Sequence, residues 1–127
     1  MVRHSEDKEQ VTVIIPHWNG EDVLRRCLES LRTTNFTAYR IVVVDNGSTD
    51  NSAPMVRKRF PEVEILSSSE NLGFAGGCNY GLSRVTTPYA VLLNNDTVVT
   101  PDWLGLLVKA ADANPGAAAV QPKMLSI

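Results

Sequence analysis

Tyr89-Ala-Val-Leu-Leu-Asn-Asn-Asp-Thr97 is the stretch whose reading decides the fold. Apolar residues run from Ala90 to Leu93 and stop at two amides and a carboxylate. A short, nearly continuous apolar run predicts a strand covered on both faces, as in a parallel sheet with helices on each side. A core strand gains nothing by ending in three polar side chains unless they hold something. In open parallel sheets, ligands sit just beyond the carboxyl ends of the strands. Asp96 falls at such an end. A carboxylate flanked by amide oxygens suits a hard divalent cation that carries a phosphate ligand. The alternative is a loop in which Asp96 caps the next turn.

The same pattern repeats upstream. Residues 11–15, Val-Thr-Val-Ile-Ile, read as a first strand that Pro16 ends. Val23, Leu24, Cys27, Leu28 and Leu31 then share one helical face, with Arg25, Arg26, Glu29 and Arg32 on the other. Residues 41–44 make a second strand, and Asp50 or Asn51 can cap a helix carrying Ala53, Val56 and Phe60. Residues 63–66 form a third, shorter strand nearer an edge. A helix begins near Phe74 despite Gly76, Gly77 and Gly81, which each weaken it. That much glycine calls for close approach by a strand or a ligand phosphate, or for tight helix–sheet packing. Residues 88–93 are the fourth strand and 94–100 a loop. Thr100-Pro101-Asp102 predicts a capped helix start ahead of the apolar stripe Trp103, Leu104, Leu107, Val108 and Ala111, which Asn114-Pro115-Gly116 ends. Residues 117–120 read as a further strand. Strands alternating with helices define an α/β domain with a mainly parallel, Rossmann-like sheet.

Composition narrows the function. A formal net charge of −2 leaves no basic footprint for nucleic acid or an anionic membrane. No apolar run approaches the roughly 20 residues that span a bilayer, and residues 1–10 are polar, without the apolar segment of a signal peptide. Two cysteines and two distant histidines make neither a disulfide framework nor a metal-ligand pattern. A reduced, cytoplasmic setting is the default expectation, and the full-length protein could be peripheral to a membrane. Residues 1–10 are expected to form a flexible terminus.

Three loops follow strands at their carboxyl ends: His17–Asn19, Asp45–Ser48 and Asn94–Asp96. If the fourth strand lies beside the first, with the second and third on its other side, the strand order reverses between them and opens a crevice. Asp45, an acceptor only when ionised, can take the ring N–H of a uracil-type base, or can serve as a turn acid. Main-chain groups near Pro16 and His17 can hold the base carbonyls, and the ring of His17 or Trp18 can stack on it. The loop carrying Asp45, Asn46, Gly47 and Ser48 reaches base and ribose. Asn71 and the amides of Gly76 and Gly77 can contact sugar or phosphates. Few cations lie in these loops, so a metal at Asp96 is the economical way to neutralise a diphosphate.

Four stretches carry a resemblance: residues 13–19 (VIIPHWN), 43–50 (VVDNGSTD), 71–77 (NLGFAGG) and 92–97 (LLNNDT), in that order. Together they resemble the family 2 glycosyltransferases with the GT-A fold, over nearly the whole chain from Val11 to Pro122. The second half of the pattern is similar to the rhamnosyltransferase-like branch of bacterial polysaccharide and cell-wall assembly. The resemblance implies a nucleoside-diphosphate-sugar donor, UDP- or dTDP-linked, a glycan or lipid-linked acceptor, and inverting single displacement. By position, Asp45 would bind the base, and Pro16 and Asn19 would shape its pocket. Asn94 and Asp96 occupy the outer positions of the family's Asp-x-Asp motif, with Asn95 between. Asn94 in place of the first aspartate removes one negative charge and leaves Asp96 as the main ligand for Mg²⁺ or Mn²⁺. The resemblance places the general base and most acceptor contacts beyond Ile127. Residues 11–127 are thus expected to be the donor-binding part of a GT-A domain, truncated before the acceptor half, inactive alone and able to self-associate through the exposed flank. A non-catalytic nucleotide-sugar-binding module is the alternative. A nucleotidyltransferase would want a glycine-rich basic loop where Pro16-His-Trp-Asn-Gly20 stands, and an oxidoreductase a Gly-x-Gly-x-x-Gly turn.

Overall fold

The structure, a computed structural model, describes residues 9–114 and 125–126. In chain order the elements are β1 (Val11–His17), α1 (Glu21–Leu31), β2 (Tyr39–Asp45), α2 (Ser52–Arg59), β3 (Glu64–Ser67), α3 (Gly73–Leu82), β4 (Tyr89–Leu92), β5 (Thr97–Val98), α4 (Trp103–Ala113) and β6 (Leu125–Ser126). Four strands form a parallel sheet in the order β3-β2-β1-β4, with Val11 opposite Tyr39 on one side and Tyr89 on the other. β5 and β6 pair antiparallel. The sheet order reverses between β1 and β4, which is the arrangement the sequence left as a condition for a crevice. The expected strand at 117–120 and residues 1–8 lie outside the described residues. Among the described residues, no helix is long and apolar enough to cross a membrane.

Strand periodicity sorts the core into two layers. Val11, Val13 and Ile15 of β1, with Ile41 and Val43 of β2, face Leu24, Cys27, Leu28 and Leu31 of α1, Met55 and Val56 of α2, and Leu104, Leu107 and Val108 of α4. The alternate residues Ile14, Val42 and Val44 face the other way, with Leu66 of β3 and the half-buried Tyr80 and Val85. Trp103 belongs to the first layer and satisfies its indole N–H on Thr34 Oγ1 at 3.0 Å.

The glycines of α3 answer to the sheet. A Cβ at Gly81 would stand 2.5 Å from Ile14 Cγ2, and one at Gly77 would stand 2.9 Å from Asn46 Nδ2 and 3.1 Å from Pro16 Cβ. α3 lies this close because those positions have no side chain. Gly76 faces Leu72 of its own segment, whose Cβ an added methyl would meet at 2.8 Å.

Three local expectations are corrected. β1 does not stop before Pro16 but runs through it to His17. Ile14 O accepts Leu93 N on the β4 side, and His17 O accepts Asn46 N on the β2 side. Alternation therefore turns the missing donor of Pro16 toward β4, where pairing has already ended at Leu92. A proline costs nothing on an unpaired edge. Second, β4 is not covered on both faces. Tyr89 and Val91 pack on the main core, but Ala90 is exposed and Leu92 is 45% exposed, because α3 packs over β1 and β2. Third, α4 begins at Trp103, and the Thr100 hydroxyl bonds Asp102 Oδ1 at 2.9 Å instead of capping a main-chain N–H.

Candidate functional site

The carboxyl ends of β2, β1 and β4 stand side by side, so the loops after them meet at the switch point. Asp45 ends β2 directly opposite His17, and each is almost wholly buried. One Asp45 oxygen accepts the Ser48 N–H at 3.2 Å. Asn46, 3% exposed, donates its main-chain N–H to His17 O and its side-chain amide to Gly73 O at 3.3 Å. Its Oδ1 has no hydrogen-bond partner among the described residues. A buried acceptor left so costs about 1–3 kcal/mol unless a donor reaches it. Gly47 turns the chain at φ +79°, and a Cβ there would stand 3.4 Å from the Glu70 backbone. That conformation and that approach both favour glycine.

Asn19 and Asp50 bind the first two loops together. Asn19 takes φ 47°, a left-handed conformation that asparagine tolerates best among residues with a side chain. Its Oδ1 accepts Thr49 N at 2.8 Å, and its own N–H donates to Ser48 Oγ at 2.9 Å. Asp50 uses one oxygen for Gly20 N (2.8 Å) and Glu21 N (3.2 Å) at the start of α1. The other oxygen takes Ser52 N (3.0 Å) and Ser52 Oγ (2.5 Å) at the start of α2. Partial burial opposes its charge, but bonds from the Ser52 hydroxyl and the Gly20, Ser52 and Glu21 N–H groups together outweigh it, so the carboxyl titrates below its ordinary value. Sequence reasoning offered Asp50 only as a cap for α2. Its bond to α1 spans 30 residues and leaves no local signal.

The His17 ring lies inward, with Nε2 2.8 Å from Ser52 Oγ and Nδ1 3.0 Å from Asn95 Nδ2. Burial lowers its pKa, against the opposing pull of Asp45 and Asp50. Of the two rings considered for stacking, Trp18 is the one presented to solvent, at 51% exposure. A hollow beneath His17, Asp45 and Ser52, walled by Leu24, Val43 and Val56, has no room for a water molecule. That hollow itself does not hold a ligand.

The loop after β4 is more exposed. Asn94 is exposed, and its carbonyl accepts Thr97 N at 3.2 Å. Asp96 is exposed, and its carboxylate makes no hydrogen bond or ion pair among the described residues. It lies near the buried Cys27 thiol, whose pKa is pushed up to about 12 by burial and then by the Asp96 charge. No group of three or more His, Cys, Asp and Glu side chains gathers among the described residues, so a protein-only metal cage does not fit here. A single free carboxylate does fit Mg²⁺ or Mn²⁺ shared with phosphate oxygens and water.

The structure thus brings His17, Asp45, Asn46 and Asn95 together, with Asn19 and Ser48 engaged in joining two loops. Pro16 touches the α3 side, where Asn71 and Gly76 also lie. Asn71 Oδ1 accepts Gly73 N at 2.8 Å at the start of α3. Asn94 and Asp96 form the far wall.

The fold is an α/β domain of the GT-A type, with the order of its parallel sheet reversing beside β1. The chain belongs to Glycosyl transferase family 2, whose sequence profile matches residues 12–125. Glycosyltransferase GlyA of Streptococcus pneumoniae is 34% identical over 104 residues, which are 80% of this chain and 15% of that protein. The S. aureus TarS 1–349 structure in complex with UDP superposes with a TM-score of 0.76 at 22% identity, over 88% of this chain and 38% of TarS. A mannosyltransferase from Pyrobaculum calidifontis, PcManGT, in complex with GDP-Man and Mn²⁺, gives 0.75 at 26% identity, over 82% of this chain and 32% of that one. The chain therefore spans well under half the length of these relatives.

Proposed function

We propose that this chain is the donor-binding portion of an inverting glycosyltransferase that moves a sugar from a UDP- or dTDP-linked donor to a glycan or lipid-linked acceptor. The observation that carries the reading is a buried Asp45 after β2 and an exposed Asp96 after β4, the latter without a hydrogen bond or ion pair among the described residues, at the same edge of one sheet in a chain of this family. Asp45 accepts the base N–H, and the exposed Trp18 ring stacks on the base. Ser48 and Asn46 line the ribose side. Asp96 holds a divalent cation, which when bound neutralises the leaving diphosphate. The Mn²⁺ and GDP-Man in PcManGT support metal and nucleotide-sugar use in a related chain.

In the proposed reaction the acceptor oxygen bonds to the anomeric carbon as that carbon's bond to the diphosphate oxygen breaks. The acceptor proton passes to a carboxylate base within hydrogen-bond reach. We place that base outside residues 1–127, so these residues bind donor without turning it over. We place any self-association of these residues on their exposed flank.

Calorimetric titration of the chain with UDP and with dTDP, with and without Mn²⁺, tests this reading. Binding of one nucleotide that tightens with metal is the expected result. Binding indifferent to Mn²⁺ would remove Asp96 from the site, and no binding to either nucleotide would overturn the donor-site reading for this chain.

A further inference from the structure

The hydrogen bonds around His17 run in one direction. Ser52 has a single hydroxyl hydrogen, and its 2.5 Å contact with the Asp50 carboxylate consumes it. Ser52 Oγ can therefore only accept from the imidazole, so Nε2 of His17 carries a proton. The ring is buried, and burial favours its neutral form. Nδ1 is then bare and can only accept. Asn95 must meet it with its NH₂ group, as the 3.0 Å contact shows. The chain of donors is thus Asn95 to His17 to Ser52 to Asp50, and Asp50 in turn holds the first N–H groups of α1 and the start of α2.

We infer that His17 is a positioning residue: through Asn95 it fixes the loop that presents Asp96, and it sets the orientation of the Asn95 amide. With one Nδ2–H committed to the imidazole, the amide oxygen accepts no hydrogen bond among the described residues, one residue from the metal-side carboxylate. The main-chain bond from Thr97 N to Asn94 O turns the loop. The bond from Asn95 to His17 is the side-chain tie that fastens it to the sheet. This rests on the donor-site reading for its functional meaning, but the tie can be examined without any ligand.

Two substitutions divide the ring. His17→Gln keeps an N–H near the Nε2 position for Ser52 and loses the acceptor for Asn95. His17→Asn keeps an acceptor near the Nδ1 position and loses the Ser52 contact. The factor by which Mn²⁺ tightens UDP binding should fall about tenfold in His17→Gln, the lower end of what indirect metal-site partners cost. It should largely return in His17→Asn. ¹⁵N NMR of the ligand-free chain should show His17 protonated at Nε2 only, with the Asn95 NH₂ protected from exchange in wild type and unprotected in His17→Gln. An unchanged Mn²⁺ factor in folded His17→Gln, or an Nδ1-protonated tautomer, would overturn the inference. If His17→Gln does not fold, Asn95→Ala breaks the same bond from the exposed end. It should cost the same Mn²⁺ factor, and adding His17→Asn to it should cost no more; a further loss would count against the tie. If wild type binds no nucleotide, the donor-site reading fails by itself. The tautomer and the Asn95 exchange rate then still decide whether the tie exists.

Discussion

The two walls of the crevice are built to different standards of order. On one, Asn19, Ser48, Thr49 and Asp50 lace the loops after β1 and β2 together, and each side chain is spent on a neighbouring main-chain or hydroxyl group. On the other, Asn94 and Asp96 are exposed, and Asn95 is joined to the sheet through His17. A ligand meeting the first wall finds its contacts already in place and loses little affinity to ordering them. The second wall leaves an exposed carboxylate whose loop is held to the sheet by the Asn95–His17 bond and whose own position would be set by the cation it would hold. On the proposed reading, rigidity would fall at the base end, where shape is read, and freedom at the phosphate end, where charge is cancelled.

Substitutions on the two walls should therefore fail in different assays. Asp45→Ala has the largest expected effect. Loss of a hydrogen bond to a charged group in a desolvated place should weaken nucleotide binding about a hundredfold while the domain stays folded. Unchanged affinity in a folded variant would remove Asp45 from the site. Asp50→Ala should register in stability. Losing the helix starts of both α1 and α2 should cost about 2 kcal/mol in a urea melt. A loss within 0.5 kcal/mol, about the size of an ordinary surface change, would show that the lacing is decorative. Asp96→Ala should do the reverse, leaving the melt within about 0.5 kcal/mol and removing the response of nucleotide binding to Mn²⁺. A metal response that survives would move the cation elsewhere.

The smallest effect is in pH. The His17 pKa is lowered on folding from its ordinary 6.5, so the unfolded chain binds the proton more readily. Stability conferred by the neutral ring is then complete above 6.5 and drains as pH falls from there toward the folded value, by at most about 1.4 kcal/mol per pH unit. Asp50 is also lowered, from 3.8, and its contribution is lost only as pH falls below that. A melt series that shows two declines, the first absent in His17→Asn, would separate the ring from the carboxylate. A single decline near 3.8 would mean that His17 carries no linked stability.

What could be read from the residues alone follows from the range of the interaction. Short, nearly continuous apolar runs located each strand of the parallel sheet, and the polar endings of three strands pointed to one edge. Neither needs knowledge of a distant residue. The α3 glycines announced a close approach, but only the structure says that Ile14 and Pro16 are what approach. The inward turn of His17 and the double duty of Asp50 depend on partners 30 or more residues away. Nothing near either residue in the chain marks them. Burial of β4 was misjudged for a related reason. An apolar run reports what a strand tolerates on its faces, whereas coverage depends on where α3 settles.

Pro16 has one more effect, on the fidelity of strand register. Side chains repeat every two residues along a strand, so sliding β4 by two along β1 would leave every apolar residue on its proper face. The hydrophobic pattern cannot forbid that slip. Moving β4 toward the crevice would bring it against Pro16, where the rung lacks its donor and a carbonyl would go unmatched, at about 0.5–1.5 kcal/mol. An absent hydrogen thus proofreads the pairing of β1 with β4.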